Sequence, residues 1–228
     1  MVSCTVRHES IPSKHMDMNA FFHIHVRVTT MSYRRTVFAL GLIFHVYNRG
    51  AGQMAIFLCD RDYGMFMRFA REEATRHGMA IIAIVLMPNH FHIVLQPIEG
   101  NGNVSEFMRC LQYRYARWFN KQYKRSGTLF EGRFKDKHVD SDEYLYQVCR
   151  YVHANPVVAG LATAPERWKW SNFLEFIGQR NEMPHHSGFQ LPFLRSHDEY
   201  QALVLEQCMS QRILHARLEQ DIRRQRME

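Results

Sequence analysis

The sequence predicts an α+β fold: a four-stranded antiparallel sheet with helices on one face and one further helix added at the end. Three observations predict it. Segments with strand and helix periodicity follow the order strand, helix, strand, strand, helix, strand, helix, which is the split βαβ arrangement with a C-terminal addition. Two strands follow one another directly across Pro88-Asn89. The chain of 228 residues is 46% hydrophobic, enough for the core of one ordinary domain without disulfide staples.

The first strand is expected from Leu42 to Asn48, a β-branched and aromatic run that stops at Arg49-Gly50. Asp60 is positioned to cap a helix whose apolar residues Tyr63, Phe66, Met67, Ala70 and Ala74 recur with helical spacing; Gly64 costs it about 1 kcal/mol, and His77-Gly78 ends it. Ala80 to Leu86 is continuously apolar, as in a strand covered on both faces. From 90 to 96, Phe91, Ile93 and Leu95 alternate with His90, His92, Val94 and Gln96, so one face is apolar and the other presents both histidines. Val104, Phe107, Met108, Leu111, Tyr115, Trp118 and Phe119 then trace one stripe of a long helix, with Gly127 beyond its end. Residues 128–135 read as the fourth strand. Asp140 with Glu143 gives a capping-box start to the last helix, which Pro156 limits to about Asn155.

Outside this frame the pattern weakens. Residues 1–30 show no clear period and read as an N-terminal extension, with Met31 a second candidate start; 31–177 form the domain, and 178–228 read as a linker and a basic helix. The five cysteines are scattered without paired spacing, so neither a disulfide framework nor a zinc knuckle is indicated and a cytoplasmic setting is expected. The longest apolar run, Met79 to Met87, is far short of the roughly 20 residues that span a bilayer, so no membrane partner and no secretory signal are expected.

The formal charge of +7 and a pI near 9.3 fit a polyanionic partner, and the excess is concentrated. Arg109, Arg114, Arg117, Lys121, Lys124, Arg125, Arg133, Lys135 and Lys137 fall within one window against only Glu131 and Asp136. These side chains are candidates for holding a nucleic-acid strand, although solvated basic helix faces are common without one. Tyr113 and Tyr123 fall off the apolar stripe and are placed to stack on unpaired bases.

Two imidazoles two residues apart on one strand face can reach one divalent ion. Alone, His90-Phe91-His92 is weak evidence: fourteen histidines produce roughly one His-x-His by chance, and His23-Ile24-His25 is a second copy. Tyr151 and Asn155 are four apart and share a helix face, with Gln147 one turn earlier. A tyrosine oxygen can displace a phosphodiester oxygen and conserve the bond energy in a covalent intermediate. A phenol is a poor nucleophile near neutral pH, so a cation at the phosphate is needed, and an ion bound at the histidines would supply it. Most helix tyrosines are core or interface residues, and an asparagine before proline is ordinarily a helix-end residue.

These signals coincide with a family pattern. The stretches Phe44-His45-Val46-Tyr47-Asn48-Arg49-Gly50, Val85 to His92, Gly127 to Lys135 and Arg150 to Gly160 come in an order and spacing that resemble the REP-associated tyrosine transposases, within the wider class of His-hydrophobe-His (HUH) single-tyrosine transposases. Trp170-Ser171 falls where that family has such a pair, so the resemblance spans roughly residues 42–177. It implies a ferredoxin-like sheet with the tyrosine helix laid against it, Tyr151 as nucleophile, and a divalent ion, magnesium or manganese, held by His90, His92 and Asn155. It also implies, as partner, single-stranded or hairpin DNA, often scattered repetitive extragenic palindromes, cut to leave a 5′-phosphotyrosine. Members act as monomers or homodimers. The rival readings are a DNA-binding protein on the same fold without turnover, and a metal-dependent hydrolase in which water attacks.

Overall fold

A computed structural model of the chain describes residues 36–100, 102–185, 191 and 195–225, with side chains as far as 211. The N-terminal extension, Met31 and His23-Ile24-His25 lie outside the described residues.

The elements are β1 (Ile43–Arg49), α1 (Asp60–His77), β2 (Met79–Met87), β3 (His90–Pro97), α2 (Val104–Gln122), β4 (Lys135–Val139), α3 (Asp142–Val158), α4 (Phe173–Phe176) and α5 (His197–Gln225). The sheet order is β2-β3-β1-β4 and all three pairings are antiparallel. This is the ferredoxin-like arrangement.

Helices α1 and α2 cover one face, burying Phe66, Phe107, Leu111 and Tyr115 against Phe44, Val46, Ile84, Leu86, Phe91, Ile93 and Leu95. The other face carries Ile82, Val85, Val94 and Val139 and is covered by α3 through Leu145, Val148, Cys149 and Val152. A bulge between Ile81 and Ala83 switches which alternate residues of β2 face which layer. With both faces covered, all nine β2 residues are buried. Its free edge is closed by the segment after α3: Leu86 N donates to Trp170 O at 2.9 Å, and Asn172 N to Ile84 O at 3.1 Å. The Asn172 side chain accepts from Ile84 N at 2.7 Å and donates to Ile82 O at 3.0 Å. An apolar edge strand is thereby kept from pairing with another chain.

Five details differ from the sequence expectation. Cys59, not Asp60, is the cap of α1, and the Asp62 carboxylate accepts from Cys59 N at 3.1 Å. The fourth strand begins at Lys135, where the expected one ended. The apolar residues Leu129, Phe130 and Phe134 anchor a loop into the core, with an isolated bridge from Gly50 to Phe130, while the strand itself is the polar edge Lys135 to Val139. Ser141, not Asp140, caps α3, its hydroxyl accepting from Tyr144 N at 3.2 Å. Pro156 lies inside α3 rather than ending it: Pro156 and Val157 are buried, and Ala159 N still reaches Asn155 O at 2.9 Å, so burial of this last turn outweighs the hydrogen bond that proline cannot donate. The C-terminal helix is not net basic, since Arg212, Arg217, Arg223 and Arg224 stand against Asp198, Glu199, Glu206, Glu219 and Asp221. Its first half packs on α3 through the buried residues Tyr200, Val204 and Cys208.

Candidate active site

The register of the sheet sets out the site in rows. On the face toward α3, Tyr47 of β1 stands opposite His92 of β3 and Lys135 of β4, and His45 stands opposite Val94 and Lys137. His90 is opposite Arg49 at the end of the row. Alternation therefore delivers His90 and His92 to one face, with Phe91 fully buried on the other.

Helix α3 brings Tyr151 and Asn155 to the same place. The Tyr151 ring lies edge-on to His92, centroids 5.3 Å apart, and 6.3 Å from that of His45. Tyr151 is 37% exposed, at the rim of a cleft of about 660 Å³ that it shares with His45, Tyr47, His92, Lys137 and Arg150. Asn155 hydrogen-bonds to the His90 imidazole through its side chain. A second cleft, about 510 Å³, opens on the other side of the histidines and is lined among others by Tyr47, Asn89, His90, Arg133 and Lys135. His92 and Tyr47 line both clefts, so they form the wall between them.

Burial governs the charge state. It pushes the His45 imidazole down to about 4, helped by the cation of Lys137. Burial also lowers His90, against the opposing hydrogen bond of Asn155, and lowers His92 well below the usual range, with His45 and His90 adding to the effect. Neutral imidazoles keep the lone pairs that metal ligands require. Asn89 donates from Nδ2 to Gln53 O at 3.3 Å, so its Oδ1 accepts from His90 Nδ1, at 2.7 Å, which leaves the lone pair of the neutral ring on Nε2. Two neutral imidazoles and an amide oxygen are a donor set suited to manganese, or to magnesium that retains several waters.

The basic residues divide into two groups. Arg133 and Lys135 line the second cleft beside the histidines. Arg109, Arg114, Arg117 and Lys121 belong to α2, in the layer on the opposite face of the sheet. There Arg109 is paired with Glu106, and Arg114 with Glu72 and Glu73. Arg117 and Lys121 border a shallow groove with Phe69, Tyr113 and Trp118. Lys124 follows the helix end with a positive φ of 50°, and Arg125 lies over Phe119 with a contact to Met54. Sequence reasoning passed over His45, Tyr47 and Arg150 as site residues. Strand pairing is what places the first two, and a single strand's pattern does not reveal a partner.

One other group of metal-ligating side chains occurs among the described residues: Glu73, His77 and Cys110, between α1 and α2. Arg76 and Arg114 already hold the buried Glu73 carboxylate, and His77 Nε2 is 3.2 Å from its other oxygen. That cluster is a neutralised charge network in the wrong layer to meet Tyr151.

The family model of IS200-like transposases matches residues 21–155, more than half of the chain, and the match takes in His90, His92 and Tyr151. The chain belongs to this transposase family. The transposase is also 27% identical over 123 residues, 49% of its own length and 69% of the relative's, to a REP-associated tyrosine transposase named in Haemophilus influenzae. Among solved structures it shares the fold of a REP-associated tyrosine transposase bound to a REP hairpin, with a TM-score of 0.56 at 17% identity, covering 73% of this chain and 96% of that one. No described helix is long and apolar enough to cross a membrane.

Proposed function

We propose that the transposase cuts and rejoins single-stranded or hairpin DNA through a covalent 5′-phosphotyrosine at Tyr151. The observation that carries this is the exposed Tyr151 ring 5.3 Å from His92, on the one sheet face where two neutral histidines and Asn155 converge. The Tyr151 oxygen attacks the scissile phosphorus in line and the bond to the 3′ oxygen breaks. The phenolic proton leaves to solvent, and the departing 3′ oxygen takes one up to become a hydroxyl. A 3′-hydroxyl of a second strand then attacks the same phosphorus and releases the tyrosine. One phosphodiester is exchanged for another, with little change in free energy.

His90, His92 and Asn155 would hold a divalent ion, magnesium or manganese. Such an ion polarises a phosphate oxygen and offsets the charge gathering on it. Arg133, Lys135 and Lys137 lie along the two clefts on the same face and would hold the backbone of the strand on either side of the cut. A hairpin carrying repetitive extragenic palindrome sequence is the substrate class that the REP-hairpin complex of the structural relative supports. Arg117, Lys121 and Tyr113 would form a more distant contact for the duplex stem.

The test is a denaturing gel with a hairpin labelled at its 3′ end, with manganese or with a chelator. The wild type is expected to retain label covalently and Tyr151→Phe to lose it, while Tyr144→Phe, a tyrosine of the same cleft, retains it. An adduct that persists in Tyr151→Phe overturns the nucleophile. Cut product without attached protein makes water the nucleophile, and binding without cutting under any metal leaves a DNA-binding protein.

A further inference from the structure

His45 takes no part in the chemistry proposed above, yet it is a buried polar side chain at the centre of the site, only 6% exposed. Its Nε2 lies 2.9 Å from His92 Nδ1, and the two rings stack with centroids 5.1 Å apart. His45 sits on β1 diagonally across from His92, whose direct partner is Tyr47, so the contact is built by the sheet register. Two imidazole nitrogens at this distance share one proton: one ring must donate and the other accept. Which ring donates decides which nitrogen of His92 faces the site with a lone pair.

We propose that His45 is a positioning residue whose Nε2 accepts the Nδ1 proton of His92, holding the ring in place and leaving His92 Nε2 unprotonated toward the metal. The inference rests on the metal reading of His90 and His92. A second observation points the same way. His90 has its Nδ1 tied to Asn89 Oδ1, an acceptor that can only receive a proton, so His90 also turns Nε2 to the site. The two rings, centroids 5.3 Å apart, thus have matching anchors: Asn89 for one and His45 for the other. If His45 were the donor, His92 would present an N–H where an ion needs an electron pair. Outer partners of this kind hold a ligand's tautomer, and their loss costs roughly 10- to 100-fold in metal affinity.

The test uses the whole chain and manganese alone, without DNA. His45→Leu removes the acceptor, while His45→Gln places an amide oxygen where Nε2 stood. Titration of Mn2+ by electron paramagnetic resonance is expected to show about 10- to 100-fold weaker binding for His45→Leu and recovery to within a few-fold for His45→Gln. Histidine 15N NMR of the metal-free wild type, which does not depend on any variant folding, should show His92 protonated at Nδ1. His92 protonated at Nε2, or equal affinity loss in both variants, overturns the proposal, as does full affinity in His45→Leu. A wild type that binds no manganese removes the metal reading with it, whereas an adduct surviving in Tyr151→Phe removes only the nucleophile and leaves the role of His45 standing.

Discussion

Two residues beyond Tyr151, the fully buried His153 joins α3 to both of its neighbours. Its Nδ1 is 2.6 Å from the Tyr200 hydroxyl of α5, and its Nε2 is 3.0 Å from Asn172 Oδ1. The Asn172 oxygen also accepts from Ile84 N, so His153 donates from Nε2 and accepts the Tyr200 proton at Nδ1. Burial pushes the imidazole down to about 4; nearby His185 adds to this, while Asn172 and Glu175 oppose it. The unfolded chain takes up this proton near pH 6.5 and the folded chain only near 4, so stability is complete above pH 6.5 and is lost as the pH falls between those values. At about 1.4 kcal/mol per unit the whole window is worth about 3 kcal/mol, of which about 2.5 kcal/mol is lost by about pH 4.5. His153→Gln keeps a donor and an acceptor but does not titrate. In urea unfolding with chelator at about pH 7.5 and about pH 4.5, the wild type should lose about 2.5 kcal/mol more than this variant. His45, His90 and His92 titrate in both proteins and cancel in the difference. Parallel losses would refute the reasoning.

Arg133→Ala combined with Lys135→Ala should weaken hairpin binding and flatten its salt dependence by about 2 in log–log slope, while Arg117→Ala or Lys121→Ala lowers it by about 1; fluorescence anisotropy across a salt series measures both. Arg114→Ala deprives the buried Glu73 of a guanidinium. With Arg76 still paired to it, a loss of about 2 kcal/mol in urea is expected, with adduct formation per folded molecule unchanged. Asn172→Ala removes the side-chain bonds to Ile82, Ile84 and His153 and opens the edge of β2, so a loss of about 3 kcal/mol together with aggregation by light scattering is expected.

The parts of the fold that were legible in the sequence are those whose pattern is set by burial within one element. The period of two in β3 separates Phe91, Ile93 and Leu95 from the histidines, and the stripe of α2 marks Val104 to Phe119 as its buried side. Strand β4 escaped because an edge strand with its side chains half in water carries Lys135, Asp136 and Lys137 instead of an apolar run, while the apolar residues just before it pin a loop. The α2 arginines read as one surface with Arg133 and Lys135, since charge along a sequence does not say which side of a sheet it reaches. His45 was hidden for a related reason: within Ile43 to Tyr47 it is a lone histidine in a core-like run, and only the pairing of β1 with β3 brings it to His92.

What the sequence does hold, without displaying it, is a match of periods. A step of four residues along a helix advances about 6 Å, and a step of two along a strand about 6.8 Å. Tyr151 and Asn155 on α3 therefore keep pace with His92 and His90 on β3, with the helix running opposite to the strand so that the tyrosine meets His92 and the asparagine meets His90. The match serves only if α3 cannot slide or turn. A rotation by one residue, about 100°, would carry Tyr151 off the sheet face altogether. Val148, Cys149 and Val152 fix the rotation by filling the sheet groove, and the buried Pro156 and Val157 extend that contact past the asparagine. His153 fixes the axial position through Asn172, which is bonded to the backbone of β2. The polar contacts of α3 that look remote from the chemistry thus set the distance between the phenol and the imidazoles.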